Sequence, residues 1–302
     1  MIKNNMKILH KGQVNINTKI VEELIKEQFP QYKNLPIYEY NSTGTVNYIY
    51  RLGNNFYIRL PNLKVFENSI LNECKILGYL SNKISINIPR VIGLGKPNNL
   101  YPFHWAIHNW INGDIFDNDL IDNFTNIISE LVNFINELHS LDLIENIPKA
   151  GRKPLVELHS QTIEALNSSK EEVDFKKAIK IWKFLVNTPL WENKPVWIHA
   201  DLLKPNILIK KNKIMGIIDF GSAGVGDPAF DVIPAWAVFT KKNREIFRNK
   251  INVCDKIWNR ACAYALHQAA LIIPYYRTNN KYFVKSAIDT INEIIFDYNF
   301  IV

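Results

Sequence analysis

Cysteine is scarce. Cys74, Cys254 and Cys262 are the three in 302 residues, and an odd, widely spaced set builds neither a disulfide framework nor a Cys-x-x-Cys metal knuckle. A reducing cytosol, and hence a cytoplasmic protein, is the expected setting. No uninterrupted apolar run approaches the roughly 20 residues that a bilayer-crossing helix needs. The opening Met1-Ile2-Lys3-Asn4-Asn5-Met6-Lys7 lacks the apolar stretch and the small-residue cleavage site of a secretory signal. Repeats, low-complexity tracts and long linkers are missing too. His10, His104, His108, His139, His159 and His267 show no metal-ligand spacing. Nor is there a Lys/Arg cluster interleaved with aromatics, so 36 basic against 29 acidic residues, +7 net, supports weak attraction to polyanions but no nucleic-acid groove. What remains is an ordinary globular composition, 47% hydrophobic and 22% charged. At about 100–200 residues per domain, the length suggests two domains or two lobes.

Hydrophobic periodicity divides the chain. Thr18 is the expected N-cap of a first helix, on which Ile20, Val21, Leu24, Ile25 and Phe29 recur at helical spacing until Pro30 stops the pattern. Val46-Asn47-Tyr48-Ile49-Tyr50-Arg51-Leu52 and Phe56-Tyr57-Ile58-Arg59-Leu60 then flank Gly53-Asn54-Asn55, which predicts a hairpin. Ile70, Cys74, Leu77 and Leu80 mark one face of a helix over 64–82, and strand-like runs follow at 90–94 and 103–111. Beyond Gly113 the pattern is mainly helical, at 120–143, 155–166 and 175–186, with two or three more helices over 243–298 interrupted near Pro274. A β-rich first third and a helical remainder predict the α+β class in two lobes.

One β-rich island, 196–219, interrupts the helical part. It reads Trp197-Ile198-His199-Ala200-Asp201-Leu202-Leu203-Lys204-Pro205-Asn206-Ile207-Leu208-Ile209, then the turn Lys211-Asn212-Lys213, the apolar Ile214-Met215-Gly216-Ile217-Ile218, and Asp219-Phe220-Gly221. A hairpin over 207–218 is expected to return Asp219 to the end where Asn206 lies, so that Asp201, Asn206 and Asp219 converge. Two carboxylates and an amide form an oxygen-donor set that suits Mg²⁺ rather than zinc. The alternative is a chance grouping of polar loop residues, which the agreement of three spacings and a hairpin disfavours.

The pattern H-x-D-x-x-x-x-N followed by D-F-G resembles the catalytic and metal-binding signature of the protein-kinase-like fold. Its version here is similar to that of the aminoglycoside phosphotransferase family of small-molecule kinases. Gly226-Asp227-Pro228-Ala229-Phe230-Asp231 matches that family's G-D-P-x-x-D segment, Leu138-His139-Ser140-Leu141 its L-H-x-L turn, and Ile273-Pro274-Tyr275-Tyr276 a segment of uncharacterised members. The A-P-E and long activation loop of eukaryotic protein kinases are missing. The resemblance implies a β-rich N-terminal nucleotide-binding lobe over 1–108 and a helical catalytic and substrate-binding lobe over 109–302. It makes Asp201 the base that orients a substrate hydroxyl and accepts its proton, and gives Asn206 and Asp219 the Mg²⁺ of the nucleotide. His199 is expected to brace the loop. Asp227 and Asp231, at a helix start opened by Pro228, are expected to be anchors or caps.

In the nucleotide lobe, the resemblance places the phosphate-covering loop at 41–47, with Ser42, Thr43 and Gly44 against the phosphates. Arg59 stands where the family carries its phosphate-reaching strand lysine. Glu73 is its natural helix partner and Glu67 the alternative, and an ordinary surface ion pair is the structural reading. Ile107-His108-Asn109-Trp110 would link the lobes and face the nucleobase, which brings His108 and Trp110 into the nucleotide set. Asp114 and Asp117, with Asp119 and Asp122, stand where the family's acidic loops bind cationic aminosugars, although a solvated turn with capping aspartates is the favoured reading. Trp236, Trp258, Tyr264, Tyr275 and Tyr276 read as core before substrate platform. The end of the chain, Phe296-Asp297-Tyr298-Asn299-Phe300-Ile301-Val302, lacks the D-E-F-F-type terminus of the 3′-hydroxyl aminoglycoside kinases.

The expectation is therefore a kinase that moves the γ-phosphoryl group of ATP or GTP, with Mg²⁺, to a hydroxyl of a small molecule, an aminoglycoside-like compound first. Its rivals are a macrolide, amino alcohol or sugar acceptor, and a catalytically silent nucleotide-binding regulator. Whether its role is antibiotic resistance or metabolism stays open, as does oligomeric state. Nucleic-acid and membrane partners are not expected.

Overall fold

The computed structural model describes residues 13–40 and 46–299. These form two compact units. One holds the residues up to Asn82 together with Asn87–Asn112 and Asp219–Gly221; the other holds Lys83–Ile86, Gly113–Ile218 and the chain from Ser222 onward.

The first unit begins with α1 (Thr18–Gln28), which buries Val21, Leu24 and Ile25. Its N-cap is Asn17 rather than Thr18: Asn17 keeps extended dihedrals and accepts from Ile20 N at 3.1 Å, whereas Thr18 is already helical. Five antiparallel strands follow in the order β1-β2-β3-β5-β4: β1 (Ile37–Glu39), β2 (Asn47–Leu52), β3 (Phe56–Pro61), β4 (Val91–Gly95) and β5 (Trp105–Asn109). The expected hairpin is β2–β3, and Gly53 takes the left-handed φ of +58° that its turn requires. A 3₁₀ turn, Lys64–Phe66, leads into α2 (Glu67–Leu80). Alternate residues of the sheet, Tyr50, Leu52, Ile58, Leu60, Trp105 and Ile107, face Leu24 and Ile25 of α1 in one apolar cluster. Burying each such Leu or Ile side chain contributes about 1.5–3 kcal/mol.

The second unit contains β6 (Asp114–Ile115), α3 (Phe124–Ser140), α4 (His159–Ser168), α5 (Phe175–Leu185), β7 (Val196–Ile198), β8 (Ile207–Lys210), β9 (Lys213–Ile217) and β10 (Gly224–Gly226), then α6 (Pro234–Ala237), α7 (Lys241–Ile251), α8 (Asp255–Tyr276) and α9 (Lys281–Asp297). β6-β8-β9 form one small sheet and β10-β7 another. α3 begins at Phe124, later than the periodicity suggests, because the Asn123 side chain accepts from Thr125 N and caps the helix there. Pro274 does not interrupt the C-terminal helices where the sequence suggests it should; α8 runs through it to Tyr276. The missing N–H costs one helical bond, but Leu266, Ala269, Ala270 and Ile273 are buried on the same helix, so packing carries the last turn. The break falls later, where Asn280 caps α9 by accepting from Phe283 N. No helix among the described residues is long and apolar enough to cross a membrane.

Candidate active site

In the second unit the island folds as β7, a polar loop, and the β8–β9 hairpin, with Ile207 opposite Ile217 and Ile218 N donating to the Asn206 carbonyl at 2.9 Å. The loop hangs from a carboxylate beneath it. Asp231 is fully buried; its Oδ1 accepts from His199 N at 3.1 Å and Ala200 N at 2.9 Å, and its Oδ2 lies 3.1 Å from His139 Nε2 on α3. Those bonds hold Ala200 at φ +64°, a left-handed conformation that costs an alanine roughly 1–2 kcal/mol. His199 braces the same loop: its Nδ1 accepts from Asp201 N at 3.2 Å, which leaves the ring proton on Nε2, 3.1 Å from the Ile218 carbonyl.

The loop so shaped presents Asp201. Asn206 Nδ2 donates at 2.9 Å both to the Asp201 carbonyl and to its Oδ2, which turns the amide oxygen of Asn206 the other way. From α8, Gln268 Nε2 approaches Asp201 Oδ1 at 3.5 Å, a long contact. Asp227 caps the 3₁₀ turn Pro228–Val232 through Ala229 N and receives the buried Arg260 at 2.7 and 3.1 Å, so it is an anchor, as expected.

In the first unit Arg59, on β3, is buried, and its Nη1 meets Glu73 Oε1 of α2 at 2.8 Å while its Nη2 meets Asp219 Oδ1 at 2.8 Å. With its amide oxygen turned toward the guanidinium, Asn47 accepts from Nε at 3.0 Å and Nη2 at 3.1 Å. A planar fork with five donors can serve three acceptors at once, which a lysine ammonium cannot do in one plane. Burial works against the Arg59 charge, but Asp219 and Glu73 hold its pKa above the ordinary value. Burial pushes the Glu73 carboxyl up to about 7 against the pull of Arg59. Asp219 lies at φ +64°, and behind it Phe220 N donates to Glu73 Oε1 at 3.1 Å and Ser69 Oγ to the Gly221 carbonyl at 3.1 Å. Glu67 is not the partner; it takes Lys64 and His104 instead.

His108 of β5 is fully buried and stacks on Tyr57 at 5.1 Å, and neither ring nitrogen has a hydrogen-bond partner among the described residues. Burial, then the nearby Arg59, pushes its pKa down to about 3, so the ring is neutral. Trp110 lies under the Arg51 guanidinium at 3.7 Å, and its backbone N donates to the Asn55 carbonyl at 2.7 Å. Ser42, Thr43 and Gly44 fall outside the described residues. Asp114 is an exposed residue of β6 opposite Ile209, and Asp117 accepts from Asp119 N as the cap of the turn Asn118–Leu120. Neither shares a hydrogen bond with Asp201 among the described residues. Of the aromatics read as core, Trp236, Trp258 and Tyr264 are buried, whereas Tyr275 is exposed.

Two features near Asp201 escape the sequence reading. Gln268 sits on a helix whose apolar pattern gives it no distinction. Arg152 follows Gly151 in a loop, where burial lowers its pKa and the Asp201 charge acts to raise it.

Residues 38–263 match the model of the phosphotransferase enzyme family, more than half of the chain. The chain belongs to that family. Over 177 residues it is 24% identical to an aminoglycoside 3′-phosphotransferase of Escherichia coli; the match spans 57% of this chain and 64% of that protein, less than two thirds of its length. The GDP complex of aminoglycoside 2′-phosphotransferase-IIIa superposes with a TM-score of 0.73 at 18% identity, covering 94% of this chain and all of that one. Macrolide 2′-phosphotransferase type I does so with a TM-score of 0.60 at 15% identity, over 93% of this chain and 99% of that one. At such identities the likeness is one of fold. The family member described here thus has the α+β, protein-kinase-like fold, with its sheet toward the N-terminus and its helices toward the C-terminus.

Proposed function

We propose that the protein transfers the γ-phosphoryl group of ATP or GTP to a hydroxyl of a small molecule in the cytoplasm. The observation that carries this reading is Asp201 on its strained loop, held through the backbone by Asp231 and through its side chain by Asn206. Asp201 orients the acceptor hydroxyl and takes its proton as the oxygen attacks. Asn206 and Asp219 would hold Mg²⁺, and their hard oxygen donors fit it: the amide oxygen of Asn206 is turned away from its bonded partners. The ion would neutralise charge on the nucleotide phosphates. Arg59, fixed by Glu73, binds those phosphates in place of a lysine, with Ser42, Thr43 and Gly44 covering them and His108 and Trp110 beside the nucleobase.

The names of the relatives support an aminoglycoside-like acceptor, with Asp114 and Asp117 receiving its amines. A second reading, a macrolide or another partly apolar alcohol, is favoured by the apolar side chains that follow Asp201 and face α8 and α9: Leu203, Pro205, Ile272 and Phe283 line one small cleft, with Gln268, Tyr282, Ser286 and Thr290. Phosphate transfer from Mg-ATP and Mg-GTP across aminoglycosides, macrolides, amino alcohols and sugars tests the reaction by product mass. A gain of one phosphate that vanishes with Asp201→Asn is expected. Full turnover by that variant would overturn the role of Asp201, and nucleotide binding with no transfer to any acceptor would overturn the reading in favour of a silent regulator.

A further inference from the structure

The Arg59 guanidinium has five N–H donors, and its two double-donor edges meet acceptors of different kinds. At its outer end, Nη1 donates to Glu73 Oε1 and Nη2 to Asp219 Oδ1, each at 2.8 Å. Along its side edge, Nε and Nη2 donate at 3.0 and 3.1 Å to one neutral oxygen, that of the Asn47 amide. Asn47, Arg59, Glu73 and Asp219 all belong to the first unit. An anion that binds this guanidinium in bidentate fashion must therefore displace one of the acceptors already there.

The outer end resists such an exchange. Glu73 is fully buried; its Oε1 also accepts from Phe220 N at 3.1 Å and its Oε2 has no partner among the described residues. Losing Arg59 would leave that carboxylate buried without its counter-charge. Asp219 is held by charge as well, and the chain closes in behind Nη2: a Cβ on Gly221 would stand 3.3 Å from Nη2 and 2.8 Å from Ser69 Oγ. The side edge differs in both respects. Asn47 is neutral, and a hydrogen bond with one ionised partner is weaker than one in which both partners are charged. It is only partly buried, at the first position of β2 opposite Pro61, so water can take over its amide. One amide oxygen also shares two parallel N–H groups, a spacing that two oxygens of a phosphate match better.

We propose that the Nε–Nη2 edge of Arg59 is the seat of a nucleotide phosphate, and that Asn47 covers this edge and yields it when the phosphate arrives. The inference rests on the phosphotransferase reading and says which edge of Arg59 serves it. Two phosphate oxygens take the two parallel N–H groups while Glu73 keeps Nη1 and so fixes the plane of the fork. A lysine at this position would have no such edge to cover. Asn47 is then a positioning residue that lowers nucleotide affinity, because its bond to Arg59 has to break before the phosphate's can form.

Calorimetric titration of the full chain with ADP and GDP, in the presence of Mg²⁺, tests the seat. Asn47→Ala uncovers the edge and is expected to tighten diphosphate binding by about three- to tenfold, the worth of one ordinary hydrogen bond. Asn47→Asp puts a carboxylate against the same edge and is expected to weaken binding by at least about tenfold. In an Arg59→Lys background, Asn47→Ala is expected to bring no gain, with thermal melting confirming that each variant folds. Binding left unchanged or weakened by Asn47→Ala, a gain that persists in the lysine background, or Asn47→Asp without loss would overturn the proposal and make Asn47 a prop of the fork. If the unaltered chain binds neither diphosphate, the phosphotransferase reading falls together with this one. If it binds them and transfers phosphate while Asn47→Ala brings no gain, this inference alone fails.

Discussion

In the sheet-bearing unit the polar residues satisfy one another, Arg59 forking between Glu73 and Asp219 with Asn47 alongside. In the helical unit Asp201 is instead held by neutral groups, an amide from Asn206 and a backbone shaped by Asp231 from below. A buried ion-pair network is strong only while complete, because removing any member leaves a charge without solvent or partner. A loop held through backbone amides tolerates the loss of its presented side chain and fails when its anchor is lost. The first arrangement therefore ties activity to stability, and the second separates them.

The widest contrast is expected from Asp201→Asn, which removes the proposed proton acceptor and should lower transfer by about 10²–10⁴ while leaving folding and Mg-nucleotide binding in place. Asp219→Asn, measured in the same nucleotide titration, should weaken binding as well. If both variants keep nucleotide affinity, the distinction between the two regions collapses. Next comes Arg59→Ala, expected to cost about 3–5 kcal/mol in urea unfolding because Glu73 is left buried and unpaired. Arg59→Lys should recover part of that loss, and full recovery would show that the fork geometry is unimportant. Asp231→Asn exchanges an acceptor for an amide in a fully buried position. A loss of about 1–3 kcal/mol is expected, with kcat falling more than KM rises as Ala200 leaves its strained conformation.

The smallest effect concerns Glu67, whose carboxyl is held down at about 2 by Lys64 first, against burial, with the His104 bonds adding to it. Its folded pKa lies below its unfolded value, so its contribution is complete above about 4.5 and is lost as pH falls toward about 2. Glu67→Gln should flatten that acid limb of the unfolding curve by less than about 1 kcal/mol, since Lys64 is exposed. An unchanged acid limb would show that the pair is not formed.

The shape of the loop over 199–206 was readable because its signal is local. His199, Asp201 and Asn206 share one short segment, and the turn at Lys211-Asn212 between apolar runs is a hairpin pattern that needs no distant contact. Glu73 was readable as the partner of Arg59 for a similar reason, lying on the buried face of the next helix. Thr18 and Asn17 are both capping residue types, so the sequence could not say which of two neighbours leaves the helix. Pro274 misled because a proline's local cost is visible and the packing that outweighs it is not.

Arg152 and Gln268 show where local reading ends. Gln268 lies 67 positions from Asp201 along the chain, and nothing in its own segment marks it out. By itself the sequence determined the class and the order of most elements, and it singled out Asp201, Asn206 and Arg59 as candidates, because these follow from spacings of a few residues along a regular backbone. Only the tertiary structure decided that Asp231 would be buried under the loop, that Arg59 would hold two carboxylates, and that Gln268 would come within 3.5 Å of Asp201. Those depend on which distant side chains share a volume from which water has been removed, where an unmatched charge is costly and a matched one is held.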